Sequence, residues 1–209
     1  MRLVMIDRST PKRQNFYPLA LSRPIWELRC GITSLLEKLI AKFSASDVAC
    51  FVPDYMADVY RARSGRQVND LAALAGDDLL VVDARVKADA CPIAAAGPSL
   101  VVCDADGEVL LARVAKQDLA KLPADSLDAF LAAAKAKLPA GSETLSGWNY
   151  TWDLILASPE QITRDFATIG RRGVEGTIEE PSGFRGSKND LYVGRGAVVH
   201  PLAVIEGPL

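Results

Sequence analysis

Val193 to Leu209 reads VGRGAVVHPLAVIEGPL. Val193, Val199 and Ile205 recur every six residues, and Ala197 and Ala203 each follow an aliphatic by four. This is the hexapeptide spacing of a parallel β-helix. In such a coil each unit forms one short flat side. The aliphatic residue points inward and stacks on its counterpart in the next turn, while the small residue fits near the corner. One coil takes about three units, and about three coils are needed to bury a continuous core. The stretch holds fewer, so the spacing predicts the first coil of a left-handed β-helix that continues beyond Leu209. The competing reading is a β-hairpin with three aliphatics in register.

Upstream, the composition is that of an ordinary folded chain. The 209 residues suit one or two domains. With 49% hydrophobic and 24% charged residues, a sizeable core is expected. The net charge of -2 offers no electrostatic grip on nucleic acid or an anionic membrane. No apolar run reaches membrane-spanning length. The start, MRLVMIDRSTPKR, has too short an apolar core for a secretory signal, so a cytoplasmic location is expected. Cys30, Cys50, Cys91 and Cys103 form no C-x-x-C pair, and with His200 as the single histidine they argue against a zinc site. Cys50 and Cys103 lie in apolar runs and read as buried thiols.

The first 83 residues alternate between two periodicities. Arg2 to Ile6, Asp47 to Val52 and Asp78 to Val82 are short apolar runs that predict buried strands. Between them, Ile25 to Phe43 places Leu28, Ile32, Leu35, Leu36, Leu39, Ile40 and Phe43 at helical spacing, and Asp54 to Ser64 predicts a shorter helix. Asp7 to Tyr17, interrupted by Pro11, predicts a loop. This alternation predicts an α/β domain with a mixed, mostly parallel sheet and flanking helices. Farther on, Leu100 to Val114 predicts a hairpin turning on DADG, and Asp118 to Leu138 a helix. A last helix is expected from Glu160 to Ile169, capped by Ser158 with Pro159 in its first turn. Composition shifts near Arg171 to Gly176. The expected domains are therefore residues 1–172 (α/β) and 173–209 (start of the β-helix).

Asn15 to Ile32, NFYPLALSRPIWELRCGI, carries a more specific pattern. Asp7, Arg13, Pro18, Leu19, Arg23, Pro24, Leu28, Arg29, Gly31 and Ile32 resemble the opening of a family of sugar nucleotidylyltransferases. That family is related to the bifunctional N-acetylglucosamine-1-phosphate uridylyltransferase, whose C-terminal β-helix is an acetyltransferase. VDARV from Val82, and WDLI from Trp152 with Pro159, Ile162, Asp165 and Phe166, resemble two further family blocks. The resemblance implies a nucleotidyltransferase-like, Rossmann-like fold. It also implies transfer of a nucleotidyl group from a nucleoside triphosphate to a sugar 1-phosphate, with Mg²⁺, and a homotrimer formed through the β-helix.

The resemblance implies a site as well. Both reactants are anions, so the barrier is largely charge repulsion, offset by a metal ion and cationic side chains. Magnesium needs only one or two protein carboxylates. In relatives one follows a central strand and another lies after a late strand, which points here to Asp83 and Asp153. The alternatives are a strand-end turn for Asp83 and a helix cap for Asp153. Well-studied relatives cradle phosphates in a glycine-rich loop after the first strand. Here that loop reads IDRSTPKRQNFYP, without glycine. Phosphate binding would then rest on the side chains of Arg8, Lys12, Arg13 and Arg23, with Arg13 and Arg23 as the catalytic cations. A surface loop of solvated cations is the alternative. The missing glycines favour a second function, a catalytically degenerate domain that binds a nucleotide sugar or organises the β-helix.

Overall fold

Strand β1 (Arg2–Ile6) is buried along almost its whole length because it lies between two parallel neighbours. A computed structural model describes residues 1–206; Gly207 to Leu209, the end of the quoted stretch, lie outside them. The chain continues through a short helix α1 (Pro11–Gln14), then α2 (Leu35–Phe43), β2 (Val48–Phe51), α3 (Asp54–Ser64), β3 (Gln67–Val68) and β4 (Leu79–Asp83). Strands β5 (Leu100–Cys103) and β6 (Val109–Val114) form the expected hairpin, and helix α4 (Leu127–Lys137) follows. The sheet order is β3-β2-β1-β4-β6-β5. β1 pairs in parallel with β2 and β4, and β2 with β3, whereas the hairpin adds antiparallel strands. The predicted mixed sheet is present, and its chain order reverses direction between β1 and β4. Ligands of open α/β sheets bind outside the carboxyl ends of strands at such a switch point.

Four predicted elements differ from the structure. The helix expected over Asp118 to Leu138 is divided into a 3-10 turn, Lys116–Lys121, and α4, which Ser126 caps. The single helix expected over Ile25 to Phe43 is divided. A 3-10 turn covers Ile25–Glu27, and α2 begins only at Leu35. The cause is local: Gly31 has φ +84°, and Ser34 and Glu37 form a reciprocal capping box that starts a new helix. Pro11 does not break structure but opens α1, since a first-turn proline gives up an N–H that has no helical partner anyway. Finally, helix α5 runs over Thr151–Ile169, with Pro159 inside it. Ser158 is thus a mid-helix residue rather than a cap.

The chain divides into two compact units. The first comprises Met1–Arg29 with Thr33–Ile155 and contains the six-stranded sheet. Its core gathers Val4, Ile6, Leu79, Val81, Val114 and Phe130 among others. The second unit joins the short segment Cys30–Ile32 to residues from Leu156 onward. There, the Ile32 N–H donates to Asp165 Oδ2 at 2.9 Å and the Gly31 N–H to Ser158 Oγ at 3.3 Å. A Cβ on Gly31 would lie 2.8 Å from the Gln161 carbonyl carbon and 2.9 Å from Asp165 Oδ2. Gly31→Ala therefore combines a positive-φ penalty with a backbone clash and is expected to cost about 2–3 kcal/mol, read as a lower midpoint in urea.

Beyond α5 lie β7 (Gly173–Val174), β8 (Thr177–Ile178), β9 (Gly183–Arg185), β10 (Tyr192–Val193), β11 (Val198–Val199) and β12 (Val204–Glu206). They form three two-stranded parallel pairs, β10 with β7, β11 with β8 and β12 with β9. Each hexapeptide aliphatic has an apolar partner from an earlier pass of the chain: Val193 with Val174, Val199 with Ile178, and Ile205 with Phe184. The pairing is parallel throughout, so a hairpin is not formed. Among the described residues no helix is long and apolar enough to cross a membrane.

Candidate functional site

Ile6 of β1 lies opposite Asp83 of β4, so the chain leaves the sheet at the switch point beside a strand-end acid. The next residue, Asp7, is buried and accepts from Arg13 Nε at 2.9 Å and from the Ile25 N–H at 3.0 Å. Burial pushes its pKa up to about 6, against the opposing pull of Arg13. Arg13 is itself buried, at 2% exposure. Its remaining donors reach Tyr17 Oη, Tyr55 Oη and the carbonyls of Ala20 and Arg23. With its donors thus engaged, Arg13 holds the loop to the sheet rather than meeting a phosphate. Arg23 is exposed, and the 3-10 turn after it is too short to supply the helix N-terminus on which its anion-binding role rested.

Asp83 is buried and paired with Arg85, which donates from its backbone N–H and Nε to Asp83 Oδ1 at 3.0 and 2.9 Å. Burial raises the Asp83 pKa, with Arg85 as the chief opposing influence. Arg85 Nη2 also meets Glu108 Oε2 at 3.0 Å and lies 3.8 Å from Asp104 Oδ2. Asp104 Oδ2 in turn meets Lys12 Nζ at 2.5 Å, and Asp106 Oδ2 meets the same amine at 2.6 Å. A continuous ionic chain therefore runs from Asp83 through Arg85 and Asp104 to Lys12. Asp104 is held below the ordinary carboxylate range by Lys12 and the Glu108 N–H, although burial works against them.

Arg8 differs from these cations. Its Nε and Nη2 are buried and have no hydrogen-bond partner among the described residues. Its charge is felt at Asp83. Arg8 lines a cleft of about 440 Å³ at the carboxyl ends of β1, β2 and β3. Phe51, Val52 and Pro53 form its apolar wall, Ser9, Asn69 and Ser126 add polar groups, and Asp7, Asp54, Asp125 and Asp128 line it as well. A second cavity of about 340 Å³ is lined by Arg85, Lys87, Asp104, Leu145 and Asn149.

Asp153 stands apart from this group. It lies in the first turn of α5, where Oδ2 accepts the N–H groups of Asn149 and Tyr150 at 2.9 and 3.1 Å. The expectation of a metal ligand required a strand before it, and the structure has a helix start there. Asp153 is a capping residue. Among the described residues no hydrogen bond or ion pair joins it to Asp83, and no group of three or more histidine, cysteine or acidic residues is placed to hold a metal.

A family model for sugar nucleotidyl transferases matches residues 3–172. The chain belongs to the sugar nucleotidyl transferase family. No curated protein matches it. Among solved structures, it is similar to molybdopterin-guanine dinucleotide biosynthesis protein A from Archaeoglobus fulgidus, at 13% identity and a TM-score of 0.47, over 76% of this chain and 97% of that one. It is similar also to a protein assigned as a glucose-1-phosphate thymidylyltransferase from Bacillus anthracis, at 9% identity and a TM-score of 0.46, over 78% of this chain and 95% of that one.

Within this sugar nucleotidyl transferase chain, residues singled out by sequence acquire physical roles. Asp7 and Arg13 form one buried pair, Asp83 and Arg85 another, and Ile32 is tied to Asp165. Sequence reasoning missed the parts played by Arg85 and by the Asp104–Glu108 turn. A signal was present in VDARV, where an arginine two residues past a strand-end acid can fold back onto it.

Proposed function

We propose that the chain transfers a nucleotidyl group from a nucleoside triphosphate to a sugar 1-phosphate, with Arg8 receiving the phosphates. One observation carries the reading: a guanidinium with two buried, unpartnered nitrogens lines the cleft at the carboxyl ends of β1, β2 and β3. Arginine binds phosphate through paired, charge-assisted hydrogen bonds, which a side chain can supply where the loop lacks glycine. The apolar wall of Phe51, Val52 and Pro53 suits a nucleobase, and family membership agrees in chemical class.

Magnesium does not fit the two carboxylates first expected to hold it. Asp83 is engaged by Arg85, and Asp153 by backbone N–H groups. Those same engagements favour a second reading, a domain that binds a nucleotide sugar without turning it over. Calorimetric titration with UTP and dTTP, with and without Mg²⁺, is expected to show binding. Pyrophosphate release with a panel of sugar 1-phosphates then separates the readings: release supports transfer, while binding without release supports the degenerate domain. No heat with either nucleotide would overturn both.

The three parallel pairs support a further part of the proposal, that residues 173–209 begin a left-handed β-helix following an α/β domain of residues 1–172. A longer β-helix would assemble the protein as a homotrimer and would ally it with the uridylyltransferase/acetyltransferase relatives.

A further inference from the structure

The turn joining β5 to β6, Asp104 to Glu108, carries three carboxylates at its tip, and all three lie on cations of the ionic chain beside the second cavity, which Arg85 and Asp104 line. Asp104 and Asp106 both meet Lys12, while Glu108 meets Arg85. We propose that this acidic tip is an internal counter-anion, occupying Lys12 and Arg85 until a polyphosphate displaces it. The inference rests on the nucleotidyl-transfer reading and concerns the cations beside the second cavity, not those of the Arg8 cleft.

The tip matches a phosphate chain in chemistry and reach. Its carboxylate oxygens lie 2.5–3.0 Å from the two cations, the distance at which phosphate oxygens would bind. With Asp83 also paired to Arg85, four carboxylates meet two cations, so an arriving anion meets repulsion rather than attraction. The tip is nevertheless cheap to move. This holds for the Asp106 arm, whose side chain is 72% exposed and whose ion pair contributes little to stability, whereas Asp104 and Glu108 are largely buried against Lys12 and Arg85 and are the costlier part to displace. Asp104 Oδ1 accepts the N–H groups of Asp106 and Glu108, so the tip keeps its own shape, and outside the cluster Lys135 Nζ donates to the Gly107 carbonyl at 2.7 Å, an exposed bond that a shift would exchange for water.

The test is calorimetric titration of the full chain with inorganic tripolyphosphate and with UTP at low salt. It compares the wild type, Asp106→Asn and Asp104→Asn/Asp106→Asn, each with and without Lys12→Gln. Asparagine can still accept the backbone bonds that shape the turn, and Asp106→Asn alters a mostly exposed side chain, so the fold is kept. The double variant is expected to bind tripolyphosphate about tenfold tighter, because two like charges close to the ligand are removed. Lys12→Gln is expected to abolish that gain. Equal or weaker binding by the double variant, or a gain that persists without Lys12, overturns the counter-anion while leaving the transfer reading intact if the wild type binds UTP. Tripolyphosphate binding that appears only after neutralisation supports the counter-anion. Absence of binding by every protein overturns both.

Discussion

Arg13→Leu is expected to destabilise the protein by about 3–5 kcal/mol, the usual consequence of removing one partner of a buried ion pair. Arg13 and Asp7 are both almost fully inaccessible, and Arg13 also binds two tyrosine hydroxyls and two carbonyls of the loop that follows. Without the guanidinium, the Asp7 carboxylate keeps the Ile25 N–H but loses its counter-charge. The sign of the pH dependence follows. The Asp7 pKa is already raised to about 6 from 3.8, so the folded state holds this proton more tightly than the unfolded chain does. The stabilisation from that bound proton is complete below about pH 4 and is lost as pH rises through about 6. Removing Arg13 raises the pKa further, so the variant's deficit should be largest above pH 7 and shrink on mild acidification. Urea denaturation of both proteins at pH 5 and pH 8 measures this; a deficit independent of pH would mean that charge pairing is not the cause.

Arg8→Met is expected to act in the opposite sense on two readouts. Nucleotide affinity should fall about 10–100-fold, the worth of charge-assisted hydrogen bonds made by a desolvated guanidinium. Stability without ligand should stay level or rise, because methionine buries no unpartnered nitrogen. An arginine kept for structure would show the reverse: lost stability with affinity retained. Paired titration and thermal unfolding decide between them. Arg8→Lys retains the charge but not the planar pair of donors, and is expected to recover only part of the affinity.

Much of the architecture was legible because it depends on short-range periodicity. The apolar runs at Arg2, Asp47 and Asp78 became β1, β2 and β4, since a strand buried on both faces needs unbroken apolar residues. The sixfold aliphatic spacing became parallel pairs for a similar reason. Elements were misread where local signals were ambiguous. Ser158 and Pro159 imitate a helix start, yet α5 tolerates the proline inside it, and the true start is capped by Asp153. Leu28 and Ile32 fit the period of the helix that follows, but Gly31 and the Ser34 capping box separate them from it. The site was harder still. Nothing in the sequence of a basic loop tells which cation turns inward to a carboxylate and which is left without one. That division between Arg13 and Arg8 is made by a carboxylate one residue beyond β1 and by loop closure onto Tyr17, Tyr55 and Ala20. It is a tertiary property with no periodic trace.

The bonds from Gly31 and Ile32 to Ser158 and Asp165 span most of the chain. During synthesis these two amides leave the ribosome long before their acceptors exist and stay hydrated until α5 has emerged. The sheet strands β1 to β4 can pair earlier, from contacts nearer in sequence. Closure of this early segment therefore depends on contacts of high sequence separation, which carry a larger loop-closure cost than the pairing of neighbouring strands. A shortened gene ending before residue 158 would yield a polypeptide that lacks both acceptors.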